Sequence, residues 1–314
     1  MRSERELMLR AGWLHFVEGL TQDAVAQRLG ITRVKVNRLA AACRESGLLR
    51  ITLDAEARFG LEAEKRLIAR YGLSDAQVVP TPSDPVLVPT VIGIAAGACV
   101  SARLAQGQTL ALGWGRTLDS SVGGLVPRHS GGNTVVTLLG SMVCSGTMNS
   151  YDIAARYARS LGAECWFLVA PLMADTTEVA EALRATGFVR QALEKAASAD
   201  LALVGTDDLG DECGLVRLGL LSPEERRSLQ AAGAMGNLLG YFLDAEGRQV
   251  DHPVNDRRIA LDLDLFAKLP LRVLAAGGRR KCAILHAVLS RGLCNVLVTD
   301  EDTAGALLEM AEPR

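Results

Sequence analysis

The chain has 314 residues, of which 49% are hydrophobic and 22% charged, and its formal net charge is −2. This composition excludes an intrinsically disordered chain, and the length allows two domains. We find no apolar run that approaches the roughly 18 residues of a membrane helix, and the charged N-terminus MRSERELMLR excludes a signal peptide, so we expect a cytoplasmic protein.

The cysteines predict no metal site. Their number is odd, they are widely separated, and no Cys-x-x-Cys pair or histidine stands at zinc-ligand spacing. We expect small buried residues, with no metal and no cofactor, at Cys43, Cys99, Cys144, Cys165, Cys213, Cys282 and Cys294.

The chain begins with three predicted helices, over approximately residues 4–19, 22–29 and 33–46. Thr21 and Thr32 stand where N-cap residues of the second and third helices are expected. Three short helices in fewer than 50 residues are typical of a small DNA-binding unit.

The second and third helices have the spacing of a helix-turn-helix. With Gln22 as position one, Ala26 falls at position five, Gly30 at nine and Val36 at fifteen. This geometry needs a small residue where the helices cross, a residue that tolerates positive φ in the turn, and an inward apolar residue.

The segment 22–50 is locally basic. It carries six basic and two acidic residues, a surplus of four positive charges, which suits a polyanion. Arginine and lysine can bind guanine edges or phosphates, asparagine can pair with adenine, and helix termini can bind phosphates. The alternative is a solvated basic helix in a small bundle. We predict DNA contacts by Thr21, Gln22, Thr32, Arg33, Lys35, Asn37 and Arg38.

The chain then passes from this unit to a second domain. Residues 48–53 alternate and predict a short strand or wing, residues 54–60 a linker, and residues 61–71 a helix. We therefore expect a helix-turn-helix domain over 1–54, and an effector-binding and oligomerisation domain over 55–314.

The second domain predicts an α/β fold with a Rossmann-like parallel sheet. Short strands, each followed by a helical pattern, are nearly continuous in hydrophobicity, as in parallel strands covered on both faces. The clearest are residues 109–112, 135–139, 166–169, 201–204, 272–275 and 296–299.

Two strand-to-helix turns, 113–117 and 276–281, are candidate anion sites. Glycines let backbone N–H groups approach a ligand, the following helix adds its positive dipole end, and Lys281 adds a full charge. Each glycine pair alone is more often a plain tight turn, but both follow parallel strands, whose carboxyl ends bind ligands in α/β sheets. Residues at two further strand ends could hold sugar hydroxyls. The candidates from all four turns are Gly113, Gly115, Arg116, Thr117, Gly140, Ser141, Asp208, Gly277, Gly278 and Lys281.

Several motifs together resemble the SorC family of sugar-sensing transcriptional regulators, sometimes described as DeoR-like. The resemblance covers essentially the whole chain. It rests on AGWLHFVEGLTQ at 11–22, GWGRTL at 113–118, SADLALVG at 198–205, GAMGN at 233–237, FLD at 242–244, Gly277-Gly278 with Lys281, and LVTDEDTA at 297–304.

The resemblance implies a sensor domain related to sugar-phosphate isomerases and deaminases. Such a domain binds a phosphorylated sugar or polyol and works as a homo-dimer or homo-tetramer, here regulating carbohydrate or polyol catabolism. It implies that Gly115, Arg116, Thr117 and Lys281 make the phosphate and polar contacts, and that Asp208 is a candidate for binding sugar hydroxyls.

One departure and one hint accompany the resemblance. This chain has Gly-Thr at 205–206 where many members have Gly-Ile-Gly, and its opening segment is most similar to regulators of polyol catabolism.

The alternative class is a sugar-phosphate isomerase or deaminase on the same fold. Such an enzyme needs a carboxylate as general base, for which Asp207, Asp208 and Asp211 are candidates. An enzyme has no use for the basic segment 20–50, and no second acid or base pairs with these carboxylates. We therefore expect a regulator and not an enzyme.

Overall fold

The computed structural model describes residues 4–46, 48, 60–128, 131–141, 150–210 and 213–310. The chain divides into two compact units, Met1–Asp54 and Ala55–Arg314, and each is described by itself. The predicted strand or wing at 48–53 lies outside the described residues except for Leu48, and so does most of the predicted linker.

The first unit is helical. Its helices are α1 Glu4–Gly12, α2 Gln22–Leu29 and α3 Arg33–Glu45, and α1 continues as a π-helical turn over Trp13–Val17. Close packing of α1 on α3 requires Gly12, because a Cβ there would lie 2.6 Å from Cys43 Sγ. The core of this unit consists of Ala11, Leu14, Val25, Ala26, Val36 and Leu39.

The predicted caps and turn are present in this unit. Thr21 Oγ1 accepts a hydrogen bond from the backbone N–H of Ala24 at 3.3 Å, and Thr32 Oγ1 accepts one from Lys35 N at 3.2 Å. Gly30 ends α2 with a φ of +67°, a conformation that costs little only for glycine. The local chemistry of the sequence therefore places α2 and α3 as predicted.

In its described residues, the second unit contains two sheets and eleven α-helices, besides short 3-10 turns. Its helices are α4 Leu61–Tyr71, α5 Val88–Arg103, α6 Arg116–Ser121, α7 Ser150–Leu161, α8 Thr177–Ala185, α9 Gly187–Ala197, α10 Gly214–Arg217, α11 Pro223–Ala231, α12 Leu263–Phe266, α13 Cys282–Ser290 and α14 Glu301–Glu309. Its strands are β1 Asp75–Val79, β2 Thr109–Leu112, β3 Thr134–Thr137, β4 Glu164–Trp166, β5 Leu201–Val204, β6 Thr206–Asp208, β7 Gly236–Leu238, β8 Tyr241–Leu243, β9 Leu271–Ala275 and β10 Val296–Asp300.

The main sheet has seven parallel strands in the order β1-β10-β9-β5-β2-β3-β4. Two large apolar clusters cover it, one including Ala111, Val136 and Ala202, the other Leu110, Val135 and Leu203. Side chains of successive strand residues point to opposite faces, so both faces are buried, as the continuous hydrophobicity predicted. The α/β fold class is confirmed.

The strand predicted at 166–169 is shifted. The observed strand β4 ends at Trp166, because the next ladder bond is replaced by a side-chain bond: Leu168 N donates to Thr137 Oγ1 at 2.8 Å. The apolar pattern alone did not reveal that a threonine on the neighbouring strand would accept this bond.

The expectation of no membrane-length apolar run was wrong. Residues Pro85–Arg103 form a continuous helical segment of 19 residues with a mean hydropathy of 1.9, long and apolar enough to cross a membrane by length and composition. Charges flank it only at Asp84 and Arg103. Its α5 part packs against β1, β9, β10 and α6, and 44% of the apolar window is buried in the protein. We assign it to the core of the sheet domain.

Candidate effector site and DNA-binding surface

A cavity of about 140 Å³ lies where the chain leaves β2 and β5. Carboxyl ends of parallel strands meet at one edge of a sheet, where α/β proteins bind their ligands. Five predicted site residues line this cavity: Gly113, Gly115, Arg116, Thr117 and Lys281.

The loop 113–117 turns sharply from β2 into α6. Gly113 N donates to Leu203 O at 2.9 Å, which ties the loop to β5. Gly115 has a φ of +123°, in the region where a side chain would strain the backbone. Asp119 N donates to Gly115 O at 2.9 Å and closes the first turn of α6. The two glycines therefore place Arg116 and Thr117 at the cavity.

Three glycines bring α5 into backbone contact with α6 and with the 3-10 turn Val122–Gly124 that follows α6. A Cβ on Gly93 would lie 2.4 Å from Thr117 O, and one on Gly97 would lie 2.0 Å from Ser121 O. Gly124 packs in the same way against Ile94 O, at 1.9 Å from its would-be Cβ. The position of Thr117 at the cavity thus depends on the absence of side chains on α5.

Lys281 is held in place by β6. Its Nζ donates to Thr206 O at 2.8 Å and lies 3.4 Å from Asp207 Oδ1. Asp207 Oδ2 in turn accepts from Gly214 N at 2.7 Å. Only 19% of the Lys281 side chain is exposed, so a half-enclosed ammonium and a carboxylate stand side by side on the cavity wall.

Further polar residues of the cavity were not among the predicted contacts. Asp207, Arg217 and Asn237 line it, and the hydroxyl oxygen of the lining residue Thr206 is buried without a hydrogen-bond partner among the described residues. Asn237 ends the motif at 233–237, so the family resemblance carried a signal for it. The sequence offered Asp207 as a general base and, within the strand end 205–208, as a possible partner of sugar hydroxyls, but not among the site residues named above. The small antiparallel sheet that places these residues, β6-β7-β8, has three-residue strands too short to show periodicity.

The remaining candidates do not belong to the described lining of this cavity. Gly140 N donates to Ile259 O at 2.9 Å and Ser141 N to Ala170 O at 2.8 Å, so both amides are used within the protein. Asp208 Oδ1 accepts from Gly210 N at 2.6 Å.

The second glycine turn, 276–281, also uses its Gly278 amide for a hydrogen bond within the protein. Gly278 N donates to Thr303 Oγ1 at 2.7 Å, and a Cβ on Gly277 would lie 2.2 Å from Asp300 Oδ1. Of this turn, Lys281 alone reaches the described cavity lining. Gly277 allows close packing against β10, and Gly278 adopts a φ of +100° and binds α14 through its amide. A sequence pattern cannot distinguish these roles from anion binding.

The predicted DNA-contact residues lie mainly on the surface of the first unit. Gln22 is half-buried, and the exposed ones are Thr21, Thr32, Arg33, Lys35, Asn37 and Arg38. Arg33 lies 3.4 Å from Asp23 and Arg38 lies 3.5 Å from Glu4, in exposed ion pairs that cost little to open. Val34, 80% exposed on the same helix, is an apolar residue that the charge-based prediction did not include.

The described cysteines are free thiols, five of them buried and Cys165 half-buried; Cys144 lies outside the described residues. Burial raises the pKa of Cys99 and of Cys165 to about 11, so these thiols stay protonated at neutral pH. No cluster of metal-ligating side chains occurs among the described residues.

A three-helix unit with a basic, exposed third helix precedes an α/β domain with a polar cavity at its strand ends. This combination is the organisation expected of a DNA-binding regulator with a ligand-binding domain. Comparisons with known proteins assign the family. Residues 56–309 match the family model described as "Putative sugar-binding domain".

Relatives match this chain over nearly its whole length. The chain is 34% identical over 314 residues to the transcriptional regulator LsrR of Klebsiella pneumoniae, covering 98% of this chain and 94% of that protein. It is 32% identical over 308 residues to the erythritol catabolism regulatory protein EryD of Brucella abortus, covering 98% and 97%. The chain belongs to the SorC/DeoR family of sugar-binding transcriptional regulators. These relatives are regulators and not enzymes, in agreement with the expectation from the sequence.

A solved structure confirms the fold. The full-length sorbitol operon regulator SorC of Klebsiella pneumoniae matches with a TM-score of 0.74 and 23% identity, over 98% of this chain and 99% of that chain. The helical N-terminal region and the parallel-sheet domain are both covered by this match.

Proposed function

We propose that this protein is a sequence-specific DNA-binding regulator of carbohydrate or polyol catabolism, controlled by a phosphorylated sugar or polyol. The observation that carries the proposal is the cavity that joins the glycine loop 113–117 to Lys281, two segments far apart in the chain. In a family of sugar-binding regulators, a cavity with a cation on its wall suits a sugar that carries an anion.

The phosphate group binds beside Lys281 and Arg116. Lys281 is oriented by Thr206 O and Asp207, and Arg116 is exposed at the start of α6. Both charges are available to a phosphate, which forms stronger hydrogen bonds with charged donors than with neutral ones. The phosphate replaces Asp207 as the partner of Lys281.

Hydroxyl groups of the ligand bind on the β6–β7 side of the cavity. Asp207 and Asn237 present carboxylate and amide groups there, and a carboxylate released from Lys281 accepts hydrogen bonds from vicinal hydroxyls. Sugars and polyols carry many hydroxyl groups, so this division of the cavity fits a polyhydroxylated chain with one charged end.

The exposed face of α3 reads the operator. The predicted contact residues on it are exposed while Val36 and Leu39 are buried, so the polar side of the helix is available for the major groove. We propose the contacts named above for 21–38, a domain boundary near residue 54, a homo-dimer or homo-tetramer, and a cytoplasmic location.

The direct test is a thermal-shift screen followed by calorimetry. Because the relatives include regulators named for erythritol and sorbitol, the first compounds are these polyols, related sugars and their phosphate esters. A ligand at 100 times its dissociation constant stabilises the folded state by about 2.7 kcal/mol. Stabilisation by a phosphate ester and not by its parent supports the proposal; equal binding of both contradicts it.

The same samples also test the alternative that the protein is an enzyme. A regulator binds the phosphorylated compound and releases it unchanged, whereas an isomerase or deaminase converts it. Incubation of the stabilising ligand with the protein, followed by mass spectrometry and chromatography, shows which occurs.

A further inference from the structure

A second cavity, of about 280 Å³, opens between α8, β8 and the segment that leads into α12. Among the described residues, its lining shares no member with the effector cavity. Two arginines, Arg184 and Arg258, line it together with Asp256 and Asp262. Leu193, Tyr241, Ala260, Leu261 and Leu265 complete the wall.

Arg258 is a largely enclosed guanidinium without a carboxylate partner among the described residues. Its Cζ lies 3.3 Å from the centre of the Tyr241 ring, and its Nε is buried with no hydrogen-bond partner in the described chain. Desolvation by burial lowers the pKa of Arg258. A buried charge that is not paired destabilises a folded protein, which is why such groups are usually found in ion pairs.

Arg184 places a second guanidinium at the same cavity. Its Nη1 donates to the carbonyl oxygens of Arg258, at 2.8 Å, and Asp256, at 3.3 Å. These bonds fix the arginine without neutralising its charge. The positive charge of Arg184 also contributes to the lowered pKa of Arg258, so two like charges are held near one another.

Among the described residues, neither arginine forms a direct ion pair with a nearby carboxylate, and the charge of Asp262 offsets only part of the desolvation that lowers the pKa of Arg258. Asp262 Oδ1 accepts from Asp264 N at 2.8 Å and from Leu265 N at 3.3 Å, and so caps α12, while Asp256 is exposed. The neighbouring Arg257, by contrast, pairs directly with Glu225. The chain therefore pairs one of two consecutive arginines and leaves the other facing the cavity.

We propose that Arg184 and Arg258 form a second anion-binding site, for the phosphate or carboxylate group of a small metabolite. The planar guanidinium matches the paired oxygens of either group, and the leucine and tyrosine side chains contact the carbon part of the ligand. The site is independent of the proposed effector cavity. The two cavities have separate linings but lie on either side of the turn between β7 and β8, because Leu239 lines the effector cavity and Tyr241 lines the second cavity.

Thermal unfolding of the full-length protein tests this site. Melting temperatures are measured in chloride buffer, and at equal ionic strength with inorganic phosphate or malonate, for wild type, Arg258→Met and Arg190→Met. Arg190 is an exposed arginine paired with Glu194 on α9 and is the matched control for the loss of one charge.

In chloride, we expect Arg258→Met to melt about 2–4 °C above wild type, because it removes a partly buried guanidinium that has no direct ion pair among the described residues. With phosphate or malonate, it loses the stabilisation that this site provides, whereas Arg190→Met follows wild type in every buffer. A lower melting temperature in chloride with an unchanged gain from both anions would mean that Arg258 is structural, stacked on Tyr241, and would overturn the proposal.

The variant Lys281→Met distinguishes phosphate binding at the effector cavity from phosphate binding at the second cavity. If both bind phosphate, each single variant keeps part of the wild-type gain and the Arg258→Met, Lys281→Met double variant loses it. If Lys281→Met alone abolishes the gain and malonate has no effect that depends on Arg258, the second site does not exist. If Arg258→Met alone abolishes it, the second site stands and the phosphate assignment at Lys281 fails. Should Arg258→Met not fold, Arg184→Met gives the same readout.

Discussion

Lys281 and Asp207 form a pair on the wall of the effector cavity, with 3.4 Å between Nζ and Oδ1. The pair is fixed at both ends, because Thr206 O accepts a further bond from Lys281 and Gly214 N donates to Asp207. The cation is therefore oriented before any ligand binds. In the complex that we propose, the phosphate takes over an existing partner position and does not have to order a flexible side chain, which favours binding.

Replacement of Lys281 by Ala should weaken binding of the phosphorylated effector by about 10- to 100-fold, since a hydrogen bond to a charged group contributes roughly 1.5–3 kcal/mol. The lower end is expected, because Asp207 already compensates part of the charge and Arg116 remains. Calorimetry of wild type and variant, with the phosphate ester and its unphosphorylated parent, measures the change.

Operator affinity without ligand provides the control for this variant. It should stay unchanged, since the two sites are coupled only through the difference that a ligand makes between two conformations. If Lys281→Ala bound the phosphate ester as tightly as wild type does, Lys281 would not be a phosphate contact.

Replacement of Arg33 or Lys35 by Ala should weaken operator binding. Both side chains are exposed on α3, and a variant that neutralises fewer DNA phosphates also shows a weaker salt dependence of binding. Gel-shift titration at fixed salt gives the affinity, and Arg190→Ala in the second unit is the matched control. If both variants bound as tightly as wild type, α3 would not be the recognition helix.

A fragment that starts near residue 55 should remain oligomeric. A lone helix-turn-helix buries little surface, and palindromic operators are bound by symmetric oligomers. The segment 85–103 exposes three apolar side chains, Val86, Leu87 and Ile94, which can contribute to such an interface. Light scattering measures the molar mass of the fragment. If the fragment is monomeric and a dimer forms only when residues 1–54 are present, the oligomer interface lies in the helical unit.

The His286–Tyr71 contact predicts a pH dependence of stability. Tyr71 Oη lies 2.9 Å from His286 Nδ1, and desolvation, together with the charge of Arg70, lowers the pKa of His286. In the unfolded chain, His286 takes up a proton near pH 6.5, whereas the folded protein keeps it neutral to lower pH. The contribution of His286 to the free energy of unfolding is therefore complete above about pH 6.5. It falls as the pH drops from there towards the pKa of His286 in the folded protein.

His286→Gln should remove this contribution. Melting temperatures of wild type and variant, measured in steps from neutral to acidic pH, should converge or cross as the pH falls, because only the wild type loses the His286 contribution. Parallel curves over the whole range would show that His286 titrates alike in the folded and unfolded protein.

The sequence predicted those features that depend on local chemistry. Thr21, Gly30 and Thr32 define the ends of α2 and α3 through side-chain caps and a positive φ, which neighbouring residues determine. The parallel strands were predictable for a similar reason, since burial on both faces leaves a continuous apolar run. Lys281 and the loop 113–117, predicted to belong to one site, line the same cavity, and phosphate binding by them stays a prediction.

Features that depend on distant residues were not predictable. Gly277 and Gly278 resemble an anion loop in sequence, but their role depends on Asp300 and Thr303, which follow more than 20 positions later. Similarly, the Asp207 partner of Lys281 is fixed by the amide of Gly214. A pattern of residue types along the chain contains no information about which of these groups meet.

Gly93→Ala should lower both stability and effector affinity. The new Cβ would lie 2.4 Å from Thr117 O, well inside contact distance, so α5 and α6 must separate. Overpacking of this kind costs about 1–3 kcal/mol. Because Thr117 lines the effector cavity, the shift should displace the loop 113–117 and weaken the ligand as well.

Gly305→Ala is the matched control, because Gly305 is exposed in the interior of α14 and no atom lies within 4 Å of its would-be Cβ. Alanine is favoured over glycine in a helix by roughly 0.5–1 kcal/mol, so this variant should be slightly more stable than wild type and should bind the ligand equally well. Urea unfolding and calorimetry on the two variants separate the effects. If Gly93→Ala lost stability but kept full ligand affinity, the contact between α5 and α6 would support the fold without positioning the site.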